Sequence, residues 1–154
     1  MTIHQRLQDT KTRTLAHYRL ADDLLDLRDG PDKWSVRFIL HHLADAETVL
    51  FDRIRRVLSE RRQVLWAFDQ DAWALGLDYV TRPLSLSQRI YDATRDGVIH
   101  YAQVHYEGSA AFEFVHSETG LRTLKDEFDK VVSHKEQHLK QIVAALVAVE
   151  AQNR

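Results

Sequence analysis

The strongest constraint on the fold is a set of apolar stripes that return every three or four residues along most of the chain. From Ser35 onward, Ile39, Leu43, Ala46, Leu50, Ile54, Val57 and Leu58 fall on one side of a helix that runs to about Ser59. Ser35 is placed to cap it, with Trp34 before it packing on Ile39. A first helix spans roughly Thr2 to Leu27, with Ile3, Leu7, Leu15, Tyr18, Leu24 and Leu25 on one side, and Gly30–Pro31 ends it. A third follows "PLS" with Ser85 as cap and reaches about Tyr106. The last runs from about Thr123 to Glu150 on Leu124, Phe128, Val131, Val132, Leu139, Ile142 and Leu146. Only 5 Gly and 2 Pro interrupt 154 residues, so the pattern predicts one all-α domain over 1–154, an antiparallel four-helix bundle.

Two connections break the period. "RRQVLWAFDQDAWALGLDYVTRP", between helices two and three, is long for a compact domain, and such a connection is usually functional. "EGSAAFEFVHSETGLRTL" reads as a turn-rich loop or a short hairpin.

A net charge of −2, with basic clusters broken by acids and leucines, excludes the basic stripe of a nucleic-acid binder. No apolar run approaches the roughly 18 residues that would span a bilayer. No apolar segment opens the chain, and there is no cysteine, so the expectation is a cytoplasmic protein without thiolate chemistry of its own.

The histidines carry the chemistry. His134 and His138 lie four residues apart, which puts both rings on one helical face at the flank of the apolar stripe. In the adjacent pair on helix two, His42 shares a column with Phe38, Ile39, Ala46 and Val49 and points inward. His41 shares one with Arg37, Asp45 and Thr48 and is expected to face solvent. Three inward imidazoles suit a metal site with an open coordination position, because a structural site would close with a fourth protein ligand. The same spacing is equally compatible with three separately satisfied histidines along a polar seam. Glu47, about 140° round from His42, is not placed to join them.

"WSVRFILHHLADAE", then "FDQDAW", then His134-x-x-x-His138, in that order, resembles the DinB/YfiT-like superfamily of metal-dependent proteins. The resemblance runs from about Trp34 to Ile142. It implies a four-helix bundle, usually a homodimer, with His42, His134 and His138 as ligands to zinc, nickel or another divalent ion. It also implies a metal-dependent enzyme acting on a small molecule, either a hydrolase or a transferase using a low-molecular-weight thiol cosubstrate. A non-catalytic metal-binding stress or interaction protein is the alternative.

Four further residues are candidates. Arg53 follows His42 on the inward column; it can clamp a substrate carboxylate or, the favoured reading, pair with an acid such as Asp69 or Glu47. Asp69 can cap a helix or orient a ligand histidine, Trp73 can wall the pocket, and His116 can line its entrance.

Overall fold

The computed structural model describes residues 1–152; the domain expectation for positions 153–154 lies outside the described residues. Four long helices make the bundle: α1 (Ile3–His17), α3 (Val36–Ser59), α5 (Leu84–His105) and α6 (Leu124–Gln152). Two short ones, α2 (Asp22–Leu25) and α4 (Gln70–Gly76), lie in the connections. Strands β1 (Val64–Leu65), β2 (Glu113–His116) and β3 (Gly120–Thr123) form a small sheet in that order, with β1 parallel and β3 antiparallel to β2. The hairpin reading of the second connection is therefore the correct one, and Gly120 takes the positive φ of 75° that its turn requires. No helix among the described residues is long and apolar enough to cross a membrane.

Local chemistry sets the helix ends. Thr2 and Gln5 form a capping box at α1, and Ser35 accepts from the Phe38 N–H at α3. The first helix stops ten residues short of its expected end. Asp22 and Asp23 favour a new N-terminus there, and α2 turns Leu25 into the core. Ser85 is not the cap of α5: Pro83 holds that position and its carbonyl accepts from Leu86, leaving Ser85 inside the first turn.

The bundle is not antiparallel throughout. His41 meets Ser87, Glu47 meets Arg95 and Phe51 meets Gly97, so α3 and α5 run in the same direction. His42 lies opposite His138, Glu47 opposite Lys135 and Arg53 opposite Glu127, so α3 and α6 run in opposite directions. Parallel neighbours need a connection that travels back along the bundle, and residues 60–83 supply it. Gly97 permits the close approach: a Cβ there would fall 2.6 Å from Phe51 Cε2.

The core has two apolar halves. One gathers Leu50, Ile54, Val98, Phe114, Leu124 and Phe128; the other gathers Tyr18, Ile39, Leu40, Leu43, Tyr91 and Ile142. Between them lies a belt of fully buried charge. Glu47 accepts from Arg95 and from Lys135 (2.6 Å). Arg95 also donates to the Leu7 carbonyl and Thr10 Oγ1, and Lys135 to the Leu43 carbonyl. Because nearly every donor is used, these charges tolerate burial and fix the register of four helices.

Candidate metal centre

His42 enters from the second turn of α3, and His134 and His138 enter from successive turns of α6. Antiparallel packing of the two helices brings the three rings to one point. His134 Nε2 lies 3.2 Å from His42 Nε2 and 3.1 Å from His138 Nε2. All three ligand nitrogens fall within 4.8 Å of one another. A tetrahedral ion with nitrogen ligands at about 2.0–2.1 Å sets its ligands about 3.3–3.4 Å apart, so the observed spacing fits one.

The ring chemistry fits as well. His138 Nδ1 is 2.7 Å from Gln141 Oε1, an acceptor, so Nδ1 carries the proton and Nε2 presents its lone pair to the centre. The Nδ1 atoms of His42 and His134 are buried without partners among the described residues, and their Nε2 atoms are the ones that converge. Burial holds the imidazoles neutral: the His42 pKa falls to about 3, and those of His134 and His138 are also lowered, His134 strongly, with burial the largest cause. Lys135, between the two α6 histidines, reinforces this with its positive charge.

Aromatic rings wall the centre. Trp34 meets His42 edge-on at 5.3 Å, Phe68 stacks on it at 6.1 Å, and Trp73 backs Phe68 at 4.9 Å. Two concavities flank this wall. A cavity of about 360 Å³ opens onto His138, Gln141, Trp34 and Asp71. A groove of about 800 Å³, lined in part by Phe68, runs between α3 and residues 63–69, past Val49, Arg53 and Trp66.

His41 does not face solvent. It is fully buried; its Nδ1 contacts Ser87 Oγ at 2.7 Å and its carbonyl accepts from Arg82. Arg82 also donates to Ser87 and, through Nη1, to both oxygens of Asp45, which accepts from the Tyr79 hydroxyl too. The polar column was real, but its partners come from the far end of the crossover connection and cover it.

The remaining candidates separate. Arg53 pairs with neither Asp69 nor Glu47. Nη2 donates to the Trp66 carbonyl and Nη1 lies 3.8 Å from Glu127 Oε2. Asp69 is the N-cap of α4, accepting from Asp71 and Ala72. Trp73 walls the centre through Phe68. His116 is buried in the hairpin, where Nδ1 accepts from Glu118 and Thr119 and so satisfies the turn. Sequence reasoning missed Gln141, Phe68 and Glu127. Gln141, three residues past His138 on the same helical face, was the one with a readable signal.

Residues 6–142 match the model of the DinB superfamily. Two proteins of Oceanobacillus iheyensis, each named "putative metal-dependent hydrolase", are similar. OB0413 is 26% identical over 151 residues, covering 94% of this chain and 85% of its own. OB0782 is 30% identical over 74 residues, covering 48% of this chain and 42% of its own. Among solved structures, YfiT from Bacillus subtilis, described as a probable metal-dependent hydrolase with an unusual four-helix bundle topology, superposes with a TM-score of 0.86. It is 21% identical, with 96% of this chain and 86% of YfiT covered. On the extent of the family match, the chain belongs to the DinB superfamily.

Proposed function

We propose that His42, His134 and His138 hold one divalent metal ion, zinc or nickel, with a coordination position left for a small molecule, and that the protein is a metal-dependent hydrolase. The convergence of three Nε2 atoms at 3.1–3.2 Å contacts carries this reading. The relatives' names, which point to hydrolysis, support the reaction class. The ion would supply Lewis acidity, lowering the pKa of a water or thiol that reaches it. The chain's own part is to present three neutral imidazoles, to fix the His138 tautomer through Gln141, and to keep bulk water away with Trp34 and Phe68.

A second reading is transfer of a low-molecular-weight thiol to an electrophile. The groove favours it by offering space for a second molecule beside the centre. Turnover of zinc- and nickel-loaded protein against carboxylic esters and amides, and against electrophiles with added small thiols, separates the two. Hydrolysis without thiol supports the first reading and strictly thiol-dependent turnover the second. A metal-loaded protein inert across the panel would leave a non-catalytic metal-binding role.

A further inference from the structure

Arg53 and Glu127 form a second charged cluster that the metal reading does not use. Both are buried, Arg53 4% and Glu127 0% exposed. A guanidinium has five N–H donors; Arg53 makes one hydrogen bond among the described residues, to the Trp66 carbonyl. Its Nε has no hydrogen-bond partner among the described residues. Neither oxygen of Glu127 has one among the described residues, and the 3.8 Å to Arg53 Nη1 exceeds a hydrogen bond. The belt around Glu47 shows how this chain treats buried charge when its purpose is only to pack: it pairs nearly every donor. Arg53 retains unused donor capacity at the groove floor.

Burial raises the Glu127 pKa, so its carboxyl is a weak counter-charge for Arg53, 3.8 Å away. The other acids of the groove are already answered, Asp52 by Arg55 and Arg56 and Asp69 by the backbone of α4. The walls are apolar and aromatic: Val49, Leu65, Phe68, Trp73 and Trp66, the last 75% exposed. A volume near 800 Å³ lies within the range of small-molecule sites, about 300–1,000 Å³.

We infer that the groove between α3 and residues 63–69 binds a small molecule with an apolar body and an oxyanion end, the oxyanion taken by the unused donors of Arg53. Arg53 is 11 residues beyond His42 on α3, about 16 Å along the axis, so the ligand is elongated. Phe68 is shared by the groove and the centre, so the occupant's other end reaches the wall of the metal centre. Its identification as substrate or cosubstrate rests on the metal-dependent reading above; the binding itself does not.

The test uses full-length protein as purified, titrated by calorimetry with 1-octanesulfonate, a weak metal ligand, and with 1-octanol and octylammonium. The sulfonate should bind at least about tenfold tighter than the alcohol. Arg53→Met should bring the sulfonate down to the alcohol's affinity while leaving alcohol binding and metal content per chain unchanged. Equal affinity for sulfonate and alcohol in the native protein, or an undiminished preference in Arg53→Met, would overturn the inference. Loss of metal content in the native protein would instead count against the metal reading alone. Should Arg53→Met not fold, the assigned Arg53 Nε–H resonance of the native protein decides: it should shift with octanesulfonate and not with octanol, and an unmoved signal is contrary.

Discussion

His41 and His42 are chain neighbours, both wholly buried, and the structure puts them to opposite uses. The ring of His41 meets a serine that is tied to an arginine–aspartate pair. The His42 ring meets two other histidines, with its Nε2 3.2 Å from that of His134. The first set ties the Nδ1 side of the ring into a serine–arginine–aspartate network; the second brings three imidazoles to one point, where a cation could be held. Burial therefore does not separate the two rings, whereas the nature of their partners does. It also follows that damage on the His41 side should register as lost stability, and damage on the His42 side as lost metal.

The largest effect should come from Arg82→Met, which leaves the Asp45 carboxylate buried with one partner fewer. We expect a loss of about 3–5 kcal/mol in chemical denaturation, with metal stoichiometry unchanged in the folded fraction. A metal defect there would merge the two regions and break the contrast. Next, His42→Ala should weaken metal binding beyond the roughly 100-fold upper bound for loss of an outer partner, measured by chelator competition. His41→Ala should stay within a few-fold of native affinity. Gln141→Leu removes the acceptor that orients His138 and should weaken binding by about 10–100-fold. An effect as large as that of His42→Ala would make Gln141 more than an orienting partner.

A more gradual effect is on pH dependence. Burial, with Arg82 and Arg37 adding to it, lowers the His41 pKa from 6.5 to about 4. The unfolded chain thus binds the extra proton first, and the contribution of neutral His41 is complete above about pH 6.5 and lost as pH falls toward 4. The slope from this residue is at most about 1.4 kcal/mol per pH unit. Replacing His41 should flatten the acid limb of the native stability profile, and an unchanged limb would count against a buried neutral ring.

Much of the bundle was legible because an apolar stripe reports directly on which face of a helix is covered. Ser35, Ile39 and Phe128 do what their spacing implies. What the stripe cannot report is coverage by polar partners from distant segments. The column of His41, Asp45 and Thr48 looks like a solvated face, yet α3 is packed against α5 on that side and α6 on the other, and Tyr79 and Arg82 close over it. Helix direction was hidden for a related reason. A stripe has no polarity along its axis, and only the crossover of residues 60–83 makes α3 and α5 parallel. His134 and His138 stood out because they lie at the flank of the α6 stripe, and His42 because it shares an apolar column of α3. Glu127, two turns before His134, has the same placement, but its partner Arg53 is on another helix and no spacing links them.

The proposed metal centre uses three histidines and not the adjacent fourth. Elemental analysis of tag-free full-length protein tests it most directly, comparing the native chain with His41→Ala and His42→Ala after incubation with zinc or nickel and desalting. About one ion per chain is expected in the native protein and in His41→Ala, and well under half of one in His42→Ala. A native protein that stays below about half an equivalent under those conditions, or a His42→Ala variant that matches it, would contradict the account.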